Sequence, residues 1–89
     1  MALAINFTTT LTTDQYDEIW RQLREAEADH PKGRLSHVGW EEESTMRVVD
    51  VWESMDDFEA FGQTLMPIIA GVGGEATPSI NPARHFKAS

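Results

Sequence analysis

The sequence predicts one α+β domain in the order β-α-β-β-α-β, a four-stranded antiparallel sheet with two helices on one face. Three observations carry this. Residues Ala2 to Thr9 alternate with period two, so Leu3, Ile5 and Phe7 share a side. Apolar stripes at helical spacing occur at Tyr16, Ile19, Trp20 and Leu23, and at Phe58, Phe61, Leu65 and Ile68. Between them stand two strand-forming runs whose connection is too short for anything but a hairpin. A chain of 89 residues has room for this one domain, 1–89, and no second.

Each element has a local cause. Thr12 and Gln15 have the spacing of a capping box, and Asp14, Asp17 and Glu18 place negative charge where a helix N-terminus favours it. That helix is expected over Asp14 to Ala28, stopped by His30-Pro31-Lys32-Gly33. Leu35 to Glu42 and Met46 to Glu53 follow as paired strands turning at Glu43-Ser44, the second a central strand apolar on both faces. Ser54 caps a second helix, which Pro67 is expected to end or kink near Met66. Gly71-Val72-Gly73-Gly74 and Pro78 form a loop, and Ser79 to Phe86 form the last strand. This is the split βαβ, or ferredoxin-like, arrangement.

Composition excludes several functions. Hydrophobic residues at 40% and charged residues at 25% describe a globular chain. A net charge of −8 argues against nucleic acid and anionic membrane surfaces as partners. The absence of cysteine removes disulfides, thiolate catalysis and cysteine–metal sites. The longest apolar run, near Leu65 to Ala70, is too short to span a membrane. Met1 to Phe7 has neither a basic leader nor a cleavage site, so the expectation is cytoplasmic.

The stretch Val48-Val49-Asp50-Val51-Trp52-Glu53-Ser54, followed by Phe58 and Phe61, resembles the dimeric α/β-barrel superfamily. It is similar to the small antibiotic-biosynthesis-monooxygenase-type members. His37-Val38-Gly39-Trp40 and Asp14-Gln15-Tyr16-Asp17 look like the same group. The resemblance spans nearly the whole chain in element order. It implies a homodimer, and it covers cofactor-independent oxygenases, haem-degrading enzymes, cyclases, isomerases and members without known activity. Three functions stay open: an enzyme acting without cofactor on a small aromatic or polyketide-like substrate, a non-catalytic ligand-binding or structural dimer, and a haem-handling protein.

The candidate site residues follow from parity. Helices cover one sheet face, and the other is expected to carry Ala4, Asn6, His37, Met46, Val48, Asp50 and Trp52. Val49 and Val51 then face Tyr16, Ile19, Phe58 and Phe61. Two helix-free faces meeting across a twofold axis would enclose a pocket of mixed polarity. Within it His37 is the candidate general base and Asp50 its orienting carboxylate. Asn6 would bond a substrate oxygen, Trp52 would stack, and His85, sharing parity with Asn81 and Ala83, would line the wall. The bland reading is a buried Asp50 satisfied by Arg47, Arg84 or backbone, with Trp52 as filler.

No metal site is expected, because His30, His37 and His85 lack metal-binding spacing. No cofactor is expected. Gly71-Val72-Gly73-Gly74-Glu75-Ala76 matches G-x-G-x-x-A, but a helix precedes it and Thr77-Pro78 follows, so it reads as a loop. Asn6-Phe7-Thr8 matches a glycosylation acceptor buried in a strand pattern.

Overall fold

The structure is a computed structural model and describes residues 1–87. Its elements are β1 (Leu3–Thr9), α1 (Thr13–Glu25), β2 (Arg34–Glu42), β3 (Thr45–Trp52), α2 (Met55–Gly71) and β4 (Ala76–Pro82). The strands form one antiparallel sheet in the order β2-β3-β1-β4. The core lies between one sheet face and the helices: Ile5, Phe7, Met46, Val48 and Trp52 pack with Ile19, Leu23, Phe61 and Ile69. Burying this apolar surface is the main favourable term in a domain of this size.

The helix starts form as their sequences dictate. Thr12 Oγ1 accepts from Gln15 N at 3.2 Å, and Gln15 Oε1 accepts from Thr12 N at 2.9 Å, completing the capping box. Ser54 Oγ accepts from Asp57 N at 3.1 Å. The helix ends depart from expectation. α1 stops at Glu25 rather than Ala28, because Glu27 takes a left-handed φ of 56° and closes a Schellman motif. Ala28 N bonds Leu23 O at 2.8 Å, and Glu27 N bonds Arg24 O at 3.0 Å. α2 runs through Pro67 to Gly71. Pro67 and Gln63, whose carbonyl loses its helical partner, both lie on the exposed side, where solvent replaces the bond. Gly73, at φ 79°, and Gly74 then close a second Schellman motif on Ala70 and Ile69. The G-x-G-x-x-A match is therefore a helix terminus.

β2 and β3 turn through Glu43 and Ser44 at φ 52° and 70°, both left-handed as a two-residue hairpin of this twist requires. β4 ends at Pro82 rather than Phe86, because its neighbour β1 begins at Leu3, directly opposite Pro82. Arg84 and His85 lie beyond the strand and are exposed.

The face assignment of β3 is corrected. Met46, Val48, Asp50 and Trp52 are the buried, helix-covered set, while Val49 and Val51 lie on the open face. The register explains why. Ile5 stands opposite Asp50 and Phe7 opposite Val48, so the bulky side of β1 and this side of β3 share one face. Trp52, at 0% exposure, packs edge-to-face on Phe58 and tilted against Phe61 of α2, with ring centroids 5.5 Å away in each case.

Candidate functional site: a hydrogen-bonded chain beneath the helices

Three elements bring a polar chain together inside the apolar layer. His37 on β2 and Asp50 on β3 are direct cross-strand partners, so both point to the helix side. His37 Nδ1 lies 2.5 Å from Asp50 Oδ1. Trp52, two residues along the same face, donates its indole N–H to Asp50 Oδ2 at 3.1 Å. On the far side of the imidazole, His37 Nε2 lies 2.7 Å from the Tyr16 hydroxyl on α1. The Asp50 carboxylate is only an acceptor, so Nδ1 carries the hydrogen towards it, and in that tautomer Nε2 accepts from Tyr16. The order of donation is Tyr16 to His37 to Asp50, with Trp52 closing the far end.

The surroundings hold this chain in place. The Tyr16 and His37 rings are stacked at an interplanar angle of 9°. Trp20 stands edge-on to the imidazole, with centroids 5.1 Å apart. Gly39 leaves room for the phenol: a Cβ there would collide with the Tyr16 hydroxyl. Asp50 is 4% exposed and satisfied through both oxygens, as a buried carboxylate must be. Burial raises the pKa of the Tyr16 phenol above its ordinary value, and the Asp50 charge pushes the same way.

The chain borders a cavity of about 60 Å³ between sheet and helices. Phe7, Val48, Phe61, Leu65 and Ile69 supply much of its apolar wall, and Tyr16, His37, Asp50 and Arg34 its polar positions. The Arg34 guanidinium lies 5.3 Å from the Trp20 ring and 5.8 Å from the Phe61 ring.

Of the residues singled out from sequence, His37, Asp50 and Trp52 are joined here, though on the helix-covered face and not the open one. Asn6 is not with them. It is exposed on the open face, between Val49 and Ser79. His85 is exposed beyond β4 and does not line the cavity. Arg47, a candidate partner for Asp50, pairs with Thr8 and Trp40 on the opposite face. Tyr16, Trp20 and Arg34 were not foreseen as site residues. Tyr16 carried one usable signal, as the hydroxyl-bearing member of the first helical stripe. Among the described residues no group of three or more His, Cys, Asp or Glu side chains could hold a metal ion, and no helix is long and apolar enough to cross a membrane.

The element order and the antiparallel sheet place the chain among ferredoxin-like α+β proteins, and its solved structural neighbours include antibiotic-biosynthesis-monooxygenase-like proteins. One is SnoaB, a cofactor-independent oxygenase from Streptomyces nogalater, solved as a mutant: 15% identity, 99% of this chain and 96% of that one covered, TM-score 0.62. Two more are described as putative: an antibiotic biosynthesis monooxygenase from Caulobacter crescentus CB15 and a monooxygenase from Shewanella loihica PV-4. The first shares 17% identity over 94% of this chain and 91% of that one, TM-score 0.68. The second shares 18% identity over 96% of each chain, TM-score 0.59. At these identities the likeness is one of fold. No family model matches the chain, and no curated protein matches it.

Proposed function

We propose that this protein is a homodimeric, cofactor-independent monooxygenase-type enzyme. It admits a small aromatic or polyketide-like molecule to the cavity between sheet and helices. The carrying observation is the Tyr16–His37–Asp50 chain, a directed proton path at the wall of an apolar cavity.

The chemistry suits a substrate with an acidic methylene flanked by aromatic or carbonyl groups. Tyr16 gives its proton to His37 Nε2 and takes one from the substrate. This leaves a substrate carbanion and an imidazolium held by Asp50. The carbanion adds dioxygen and is protonated to a hydroperoxide. Loss of water from the hydroperoxide leaves a carbonyl. The balance is CH2 plus O2 giving C=O plus H2O, with dioxygen as the oxidant and four electrons drawn from the substrate carbon. The residues do not suit haem, because both nitrogens of His37 are engaged and His85 does not line the cavity.

The open sheet face supports pairing of two copies. Val38 is 57% exposed and Trp40 40% exposed, next to Val49 and Val51. Asn6 lies on this face and would sit in the dimer interface.

A non-catalytic, structural role is favoured by one observation, the cavity's size: about 60 Å³ is well below the roughly 300 Å³ at which ligand pockets begin. Oxygen uptake with phenols bearing an activated methylene separates the two readings. Catalysis predicts uptake that is lost in His37→Ala. No uptake and no binding of the same phenols would establish the second reading instead.

A further inference from the structure

Leu35 and Arg34 have exchanged the places that hydrophobicity would assign them. His37 pairs with Asp50 and Ser36 with Val51, so plain alternation would bring Leu35 opposite Trp52 on the helix side. A β-bulge between Arg34 and Ser36 intervenes, and Arg34 stands opposite Trp52 instead. Leu35 is turned outward at 45% exposure. A cation is drawn into the cavity wall while an aliphatic side chain of suitable size faces solvent. Core packing alone favours the reverse.

The guanidinium is positioned but little used. Its central carbon sits over the Trp20 ring of α1 and the Phe61 ring of α2. Among the described residues it makes one side-chain hydrogen bond, from Nη2 to the Asp29 carbonyl at 2.8 Å. It forms no ion pair with Asp50, whose oxygens are taken by His37 and Trp52. Burial lowers the arginine's pKa from its ordinary value, the mark of a cation held partly away from water. A planar donor fork beside two aromatic rings suits one ligand chemistry, a flat aromatic ring carrying an ionised oxygen. In a chain of net charge −8, such an anion needs a local cation to enter.

We infer that the bulge aims Arg34 into the cavity as the binding group for an aromatic anion, so that the protein selects phenolate, enolate or carboxylate forms over neutral rings of the same shape. This rests on the cavity being the substrate site. It places Arg34 where negative charge develops once the Tyr16–His37–Asp50 chain has taken a proton.

The test uses two probes, para-nitrophenol in mildly alkaline buffer, where it is the phenolate, and its neutral methyl ether para-nitroanisole. Binding is read by quenching of tryptophan fluorescence. The wild-type protein is expected to bind the phenolate about tenfold more tightly, the worth of one charge-assisted hydrogen bond. Arg34→Gln should erase that preference while leaving para-nitroanisole binding within about twofold, and Arg34→Lys should restore only part of it. Equal binding of both probes to wild type overturns the role of Arg34 and leaves the cavity reading standing, whether or not the variants fold. A preference that survives in Arg34→Gln overturns it too. Binding of neither probe overturns both the Arg34 role and the cavity reading.

Discussion

His37 and Asp50 face each other directly across β2 and β3, with Nδ1 and Oδ1 2.5 Å apart. The pair sits beneath the helices, so its two ends differ: Asp50 is closed off by Trp52, while His37 opens towards Tyr16 and the cavity. Removing the carboxylate should therefore affect folding and chemistry separately. Asp50→Ala strands the imidazole N–H in an apolar layer and should cost about 3 kcal/mol in urea unfolding. Asp50→Asn retains the shape, should cost less, and should still slow proton transfer at least about a hundredfold. Equal activity of Asp50→Asn and wild type would remove the orienting role.

Tyr16 gives the structure a pH dependence of definite sign. Its folded-state pKa is raised by burial above the ordinary 10.0. Below about pH 10 both states hold the phenolic proton, so this group contributes no slope. Above it the unfolded chain loses the proton first, so stability falls as pH rises towards the folded-state value. Urea midpoints should decline more steeply above about pH 10 in wild type than in Tyr16→Phe. Parallel curves would contradict this.

Gly39 and Tyr16 should prove energetically coupled. Gly39→Ala puts a methyl group into the phenol, and overpacking of this kind costs about 1–3 kcal/mol. Tyr16→Leu has its own cost but removes the clash. The double variant should thus lose measurably less than the sum of the single losses, read by thermal or urea unfolding. Strict additivity would show that the strand and helix do not meet there.

Ile69 is 4% exposed and lines the cavity from α2. Ile69→Ala should destabilise by about 2–5 kcal/mol and enlarge the space available to a ligand. Wider rings should then bind better relative to narrow ones. Unchanged size selection would move the binding site elsewhere.

The two valine sets of β3 should answer differently to charge. Val49→Asp, on the open face, should leave the fold intact and shift a dimer to monomer in sedimentation. Val48→Asp, in the core at 7% exposure, should unfold the chain whatever its oligomeric state. A wild-type monomer at micromolar concentration would refute the pairing of open faces.

The element order was readable from Ala2 to Phe61 because period, caps and turn residues agreed with one another. The face of β3 was not, because both parities of Met46 to Trp52 carry apolar side chains, so alternation alone does not decide between them. The size of Trp52 and the bulky side of β1 decide it, and both act through register. His37 and Asp50 could be named from their chemistry, since a histidine and an aspartate in apolar strands need partners. Asn6 lies on the open face expected for it and is parted from His37 and Asp50 because their face was the one misassigned, while His85 falls beyond the strand's end. Arg34 was invisible because a bulge shifts the strand's phase by one residue and leaves no reliable mark in composition.

The hydrogen-bonding sense of β4 has a consequence for self-association. Ala83 N bonds inward to Ala2 O, so the odd-numbered positions of this strand turn their donors towards β1 and the even-numbered ones turn outward. Two of the four outward positions from Ala76 to Pro82 are Pro78 and Pro82, which have no N–H. A fifth strand arriving at that margin would find gaps where rungs should be. The protein thus carries a polymerisation stop at one side of its sheet, and copies that stack through their faces are protected from zipping along that rim into fibrils.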